Sequence, residues 1–215
     1  MRRHFETELK GLKNSLTKMG DIVSQSVNNA VKAAIEGDKK LAKEIIEHDA
    51  KINKLENNID KFCLKLLALY QPAAADLRFI TMAMRINNDL ERIGDISVNI
   101  SERVLALKTQ PQGKLAKMIG EIGKMTEKMV DKTLDCFINN DVELAEQIIE
   151  MDDKIDKLNS DITHELIQYV IKNPVEANKV LGYIFISKNL ERLADHLENI
   201  AEDVIFLSTG KMVRH

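Results

Sequence analysis

Residues that favour strands, turns and cross-links are scarce in this chain of 215 residues. It has no Trp, three Pro, nine Gly, six Phe and three Tyr. Because β-proteins need many turn residues and strand formers, this composition excludes all-β and collagen-like classes. The two cysteines, Cys63 and Cys136, are far apart and lie among apolar residues, so we expect buried, reduced thiols.

Long apolar runs are also missing. Lys, Asp, Glu or Asn interrupts every apolar stretch well before the roughly 18 residues that a membrane helix requires. The basic N-terminus has no apolar segment behind it, so a secretory signal is not expected. At 44% apolar residues the chain is too hydrophobic to be disordered. We therefore expect a folded, soluble, cytoplasmic protein.

Neither sign of charge is in large excess. Lys and Arg number 31 and Asp and Glu number 34, which gives a formal net charge of −3. Non-specific nucleic-acid binding rests on excess basic charge, so nucleic acid is not expected as the main partner. The sequence has no phosphate-binding P-loop, no dinucleotide-binding glycine motif and no nucleophile elbow. We expect a protein that is not an enzyme.

What the chain does have is helical periodicity. Apolar residues recur at three- and four-residue steps over residues 4–36, 41–69 and 73–108, which predicts three long helices. Gly37 ends the first of them, and Asp38 is a suitable N-cap for the second. The dipeptide Gln71-Pro72 stops the second helix. Steps that alternate between three and four residues are typical of helices packed at shallow angles, as in bundles.

The pattern of the first half is repeated after a linker at residues 110–113. AKEIIEHDAKINKL at Ala42–Leu55 matches AEQIIEMDDKIDKL at Ala145–Leu158, and LERIGDISVNI at Leu90–Ile100 matches LERLADHLENI at Leu190–Ile200. A repeat of about 100 residues is far longer than the roughly 20–50 residues of a solenoid unit. It predicts an all-α fold of two tandem, similar three-helix bundles, with six long antiparallel helices and a pseudo-two-fold repeat. We place the bundles at residues 1–109 and 112–215.

Acidic pairs recur on the third helix of each half. The motif Leu-Glu-Arg-x-x-Asp places Glu91 beside Asp95, and Glu191 beside Asp195, on one helical face. Two such carboxylates repel each other unless a cation lies between them. The arginine that follows each glutamate points about 100° away on a helix, so we expect it not to supply that charge. Hard oxygen donors in one stripe suit Mg²⁺, Mn²⁺, Ca²⁺ or oxidised iron.

A further pair, Asp152 and Asp156, lies on the second helix of the C-terminal half. If the second and third helices pack together, both pairs of that half face one site. The N-terminal half has Asp49 and Asn53 at the matching places, so an amide replaces one carboxylate and we expect a weaker site. His48 lies on the apolar face of the second helix, and we interpret it as a core histidine.

The spacing of these acids leaves several uses open. Acidic residues four apart are also common on solvated helix faces, where they need no ligand. The stripes are suited to bind metal ions, or to contact basic surfaces of a partner protein in a structural adaptor without metal. A metal-dependent hydrolase would need an open coordination position, and we favour it least.

Two three-helix halves that each carry Leu-Glu-Arg-(Ile/Leu)-(Gly/Ala)-Asp, with LALYQPAAADLRFI before the first motif, resemble the PhoU family of phosphate-specific transport system accessory proteins. The resemblance covers nearly the whole chain. It implies a cytoplasmic, non-enzymatic regulator that represses phosphate uptake and the phosphate-starvation response. Its implied partners are the ATPase of the phosphate ABC transporter and the sensor histidine kinase of the phosphate two-component system, so contact with the membrane is expected only through these partners. It also implies a homodimer.

The resemblance further implies multinuclear iron or zinc clusters held by acidic motifs, and the oxygen donors leave Mg²⁺ or Mn²⁺ as alternatives. Asn53 departs from the acidic motif, and Ile96 stands where a histidine often follows the aspartate; both departures concern the first half. Carried over by motif, the implied metal ligands are Asp49, Glu91 and Asp95 in the first half and Asp152, Asp156, Glu191 and Asp195 in the second.

Overall fold

The first half of the chain folds as three long helices, each in contact with the other two. A computed structural model describes residues 2–107 and 109–210. Helix α1 spans Arg2–Glu36, α2 spans Lys39–Tyr70 and α3 spans Ala74–Ala106. These bounds agree with the three predicted helices to within a few residues. The predicted end of the third helix, at Lys108, lies outside the described residues.

The second half repeats this arrangement. Helix α4 spans Gly113–Asn139, α5 spans Val142–Lys172 and α6 spans Ala177–Thr209, with a single 3₁₀ turn at Pro174–Glu176 before α6. Over residues 2–107 and 109–210 there are six α-helices and no strand, so the predicted all-α fold is confirmed. None of the helices in this part of the chain is both long and apolar enough to cross a membrane.

The helix-ending and capping residues predicted from the sequence lie at the ends of the helices. Gly37 takes a positive φ of 67° after α1, and the Asp38 carboxylate accepts hydrogen bonds from the backbone N–H groups of Lys40 and Leu41 at 2.9 and 3.0 Å. Gln71 closes α2 in the left-handed conformation and donates its N–H to the carbonyl of Leu67. Asp141 caps α5 through the N–H of Leu144, as Asp38 caps α2. The second helix of each half therefore begins with an aspartate N-cap.

The halves pack through α1 against α4 and through α3 against α6. Helices α1 and α4 are antiparallel, since the Lys13 ammonium donates to the carbonyl of Ile138 near the end of α4, while Val31 near the end of α1 lies beside Gly123. Helices α3 and α6 are antiparallel as well, since Arg85 pairs with Asp203 and Arg103 lies over Phe185. Buried apolar residues of all six helices form one continuous cluster. The division into bundles at 1–109 and 112–215 stays a prediction, and residues 211–215 lie outside the described part.

Two sequence interpretations of single residues have opposite outcomes. Cys63 and Cys136 are free and fully buried as expected, and burial raises the pKa of both thiols to about 12. The interpretation of His48 as a core residue is wrong, because its side chain is exposed. His48 lies at a heptad position of α2 that is not buried; the buried residues of this helix are Ala42, Ile45, Ile52, Ile59, Cys63 and Leu66.

Candidate metal centre

Three carboxylates from two helices meet in the C-terminal half. Asp152 and Asp156 lie one turn apart on α5, and Asp195 faces them from α6, which packs along α5. One carboxylate oxygen from each of the three lies within 4.8 Å of the other two. Asp152 is buried, whereas Asp156 and Asp195 are exposed, so the group is open to solvent on one side. The structure thus brings together three of the four acids of the two predicted pairs, Asp152, Asp156 and Asp195.

The mutual repulsion of these groups is visible in their proton affinities. Burial, followed by the negative charges of Glu198, Asp195 and Asp156, raises the pKa of Asp152 to about 7. Burial also raises the pKa of Asp195, and Glu191 and Asp156 raise it further, while Lys188 lowers it. A proton or a metal cation at this point relieves the repulsion, so the two compete for the same oxygens.

Two carboxylate oxygens at this site are buried without a hydrogen bond. Among the described residues, Asp152 Oδ1 and Glu191 Oε2 have no donor within reach. Glu191 directs its other oxygen, Oε1, to the ammonium of Lys188, and Glu191 lies outside the compact group of three. An unpartnered buried carboxylate oxygen costs on the order of 1–3 kcal/mol, which a bound cation would offset. The donor set therefore fits a hard divalent or trivalent ion.

The N-terminal counterpart has the same parts in a looser arrangement. Burial raises the pKa of Asp49 on α2, the charge of Asp95 on α3 raises it further, and a 2.9 Å hydrogen bond donated by the Asn53 amide lowers it. Burial and Asp95 likewise raise the pKa of Glu91. Asp49 Oδ1 is buried without a partner. Within residues 2–107 and 109–210, however, the only compact group of three is the one on α5 and α6.

The expectation that the following arginine stays away from the acidic pair is wrong in the first half. The guanidinium of Arg92 lies 3.6 Å from Glu91 and 3.4 Å from Asp95. Its side chain is long and flexible enough to bend back along the helix surface despite the unfavourable starting direction. In the second half Lys188, one turn before Glu191, supplies the ion pair instead. The two halves therefore neutralise their motif glutamates differently.

Several charged residues of the site were not predicted from the sequence. Glu198 and Lys188 lie one turn on either side of the second motif, and helical spacing of three residues is the signal that would have found them. His196, which follows Asp195 in the sequence, forms a 2.9 Å hydrogen bond through Nδ1 with Asp89 of α3. No sequence signal marks that contact, because it joins the two halves.

Fold and site together define a class: a duplicated α-helical bundle whose halves carry equivalent acidic motifs on their second and third helices. The PhoU domain family model matches the chain twice, over residues 16–104 and 119–204. These two matches cover most of the described helices. This chain therefore belongs to the PhoU family.

Relatives extend the match over nearly the full length. The chain is 38% identical to a phosphate-specific transport system accessory protein PhoU homolog of Pseudomonas aeruginosa, covering 99% of this chain and 88% of that one. It is 34% identical to the PhoU homolog 1 of Thermotoga maritima, at 98% and 91% coverage. Crystal structures of PhoU from Pseudomonas aeruginosa and of the phosphate transport system regulatory protein PhoU from Streptococcus pneumoniae superimpose with TM-scores of 0.93 and 0.91. Their identities are 38% and 32%, over 96% and 98% of this chain and all of theirs.

Proposed function

We propose that this protein is a cytoplasmic, non-enzymatic regulator that restrains phosphate uptake when phosphate is plentiful. The observation that carries the proposal is the full-length similarity to accessory proteins of phosphate transport. Its partners are the ATPase of the phosphate ABC transporter and the sensor histidine kinase of phosphate-starvation signalling. It acts as a homodimer, and light scattering behind size-exclusion chromatography measures that state.

Pull-down with the purified transporter ATPase tests the role in uptake. The ATPase is expected to co-elute with the protein, and a strain that lacks the protein is expected to take up labelled phosphate faster under phosphate-rich conditions. Complementation by this chain restores the slower rate. Failure of the ATPase to bind, together with unchanged uptake in the deletion strain, would contradict the proposal.

Metal binding at the acidic motifs is the second part of the proposal. Its support is the compact group of Asp152, Asp156 and Asp195 together with the unpartnered oxygens of Asp152 and Glu191. A bound ion would cross-link α5 to α6 and neutralise the charges that repel there. In the N-terminal half Asp49, Glu91 and Asp95 form the equivalent, weaker site. Iron or zinc is the proposed metal, with Mg²⁺ or Mn²⁺ as alternatives.

Elemental analysis of chelator-treated and reloaded protein tests the metal site. The wild type is expected to regain metal, and the double variant Asp152→Asn with Asp195→Asn is expected to lose the metal of the second half. Asp161→Asn, an exposed site farther along α5, serves as the matched control and keeps wild-type content. Equal metal content in the double variant and the wild type would contradict the site assignment.

One observation favours the alternative of an adaptor without metal. Arg92 already pairs with Glu91 and Asp95 within the chain, so the first acidic stripe has part of the counter-charge that it needs. In that alternative the stripes contact basic surfaces of a partner, and elemental analysis finds no metal. Partner binding would then weaken steeply between about 0.05 and 0.5 M salt, because exposed charges are screened.

A further inference from the structure

The two ends of the α3–α6 interface are related by the internal repeat but are built differently. At one end an ion pair and a hydrogen bond between side chains of the chain itself close the interface. The guanidinium of Arg85 lies 3.0 Å from the carboxylate of Asp203, and Asp89 lies 2.9 Å from His196. Asp203 is only 2% exposed. Carboxylates from both helices therefore fill this end.

The repeat places different residues at the equivalent positions of the other end. Arg103 corresponds to Asp203, Phe185 to Arg85 and Asn189 to Asp89, so neither carboxylate has a counterpart there. The interface is open at this point, with a cavity of about 480 Å³ between α3 and α6. Arg103, Lys188 and Arg192 line it together with Phe185, Asn99 and Asn189. Where the first end holds two acids, the second holds a basic cavity.

The positive charge in this cavity is only partly neutralised. The guanidinium of Arg103 lies over the half-exposed ring of Phe185, 4.4 Å from its centroid, and this contact leaves its charge in place. Within the described part of the chain, no carboxylate oxygen comes within 4.0 Å of Arg103 or Arg192. Lys188 already pairs with Glu191, and Glu102 is the one carboxylate of the lining. Two arginines thus remain for an external anion.

We propose that this cavity binds a phosphate-type oxyanion, held by Arg103 and Arg192. Guanidinium groups bind such anions with paired N–H donors, and a dianion matches the two arginines in charge. The volume lies within the range of roughly 300–1,000 Å³ that small-molecule sites have and exceeds what a single carboxylate would fill. The exposed Phe185 ring and the amides of Asn99 and Asn189 leave room for a base, so free phosphate and a nucleotide are both possible sources of the phosphoryl group.

Calorimetric titration of the full chain tests this site. Inorganic phosphate, AMP and ADP are titrated separately at constant ionic strength into chelator-treated protein, so that no metal ion binds the anion. The double variant Arg103→Gln with Arg192→Gln is expected to lower the affinity roughly tenfold or more, because charge-assisted hydrogen bonds are lost. Arg78→Gln, an exposed arginine on the same helix α3, is the charge-matched control and leaves affinity unchanged.

The source of the phosphoryl group follows from the relative affinities. Tighter binding of phosphate supports the free anion, and tighter binding of AMP or ADP with the same arginine dependence supports a nucleotide. The metal-site variant Asp152→Asn with Asp195→Asn is expected to bind the anion like wild type, which separates the two sites. If the double variant does not fold, Arg192→Gln alone tests the site, because Arg192 is exposed and its replacement should not disturb folding. We expect this single variant to lower the affinity roughly threefold.

Three results would overturn the proposal. One is no binding of phosphate, AMP or ADP up to about 10 mM, which is weaker than any useful site. Another is an equal loss of affinity in Arg78→Gln or in the metal-site variant. The third is that a polyglutamate peptide binds with arginine dependence while the phosphate compounds do not, which would make the cavity a docking site for acidic protein segments.

Discussion

At the scale of single residues, buried carboxylates control how the protein responds to protons and cations. Asp152 and Asp203 are both nearly inaccessible, and burial is the main reason that the pKa of each is raised to about 7. Their surroundings differ in charge: Asp152 faces other acids, whereas Asp203 faces Arg85. At Asp152 the raised pKa therefore reflects neighbouring carboxylates that no cation balances. At Asp203 the pKa is raised although Arg85 already pairs with the carboxylate.

Replacing Asp152 tests the first of these environments. Its folded-state pKa of about 7 lies above the ordinary value of 3.8, so the folded state keeps a proton that the unfolded state has released. Stability therefore falls as pH rises from about 4 to 7, and metal-free Asp152→Asn lacks this loss. We expect the variant to exceed wild type by about 1–3 kcal/mol above pH 7 and to match it near pH 4. Urea unfolding across this range measures the difference, and a flat difference curve would count against a raised pKa.

Removing the partner of Asp203 tests the second environment. Arg85 lowers the pKa of Asp203 against burial and against the charge of Asp89, so Arg85→Ala raises that pKa further. At pH 8 the variant holds a buried carboxylate without a cation, which we expect to cost about 1–3 kcal/mol. At pH 6 the loss is smaller because Asp203 is largely protonated. Asp203→Asn added to Arg85→Ala is expected to recover most of the loss, and exposed Arg78→Ala to cause none.

At the scale of the helices, close approach of α1 and α4 depends on glycine. A Cβ at Gly123 would lie 2.5 Å from Cγ1 of Val31, a stiff and fully buried side chain on α1. A Cβ at Gly120, one turn earlier, would meet only Cδ1 of Ile35 at 3.9 Å, an ordinary contact. Replacement by alanine is therefore expected to lower the stability at Gly123 and to raise it at Gly120.

We expect Gly123→Ala to destabilise the protein by about 1–2 kcal/mol, because overpacking outweighs the gain in helix propensity. Gly120→Ala is expected to stabilise it by about 0.5–1 kcal/mol, since alanine restricts the unfolded chain and nothing is displaced. Urea midpoints of the two variants measure both effects. Adding Val31→Ala to Gly123→Ala relieves the clash, and a pair of variants with equal stability would contradict the close approach.

Helix existence and helix ends were predictable because they depend on local signals. Periodicity placed all three helices of the first half, and Asp38, Gln71 and their counterparts mark ends by backbone chemistry that neighbours in sequence determine. The meeting of Asp152 and Asp195 was predictable only on the condition that the second and third helices of a half pack together, which short connections between helices favour. The position of His48 was not, since alternating steps of three and four do not say which heptad position a bundle buries. Nor was the Arg92 contact, which depends on side-chain flexibility.

At the scale of the whole molecule, an apolar interface joins the two halves in addition to the linker. The antiparallel pairs α1–α4 and α3–α6 bury apolar side chains of both halves in one cluster. The Arg85–Asp203 ion pair and the Asp89–His196 hydrogen bond add polar contacts that only the correct register of α3 against α6 permits. Repetition in the sequence predicts two similar units, but it does not reveal whether they unfold separately. The continuous core argues that they unfold together.

The absence of Trp from the chain makes this last point directly measurable. Phe62→Trp on α2 and Phe206→Trp on α6 each introduce a single partly buried fluorescent probe, one in each half. Because one core spans both halves, we expect the two variants, monitored by fluorescence and by circular dichroism, to unfold in urea with coincident midpoints. A fragment of residues 1–109 is expected to expose the apolar faces of α1 and α3 that α4 and α6 cover, and so to bind a hydrophobic dye and lose cooperative unfolding. Two separated transitions, or a fragment that unfolds cooperatively by itself, would instead show that each three-helix half is an independent folding unit.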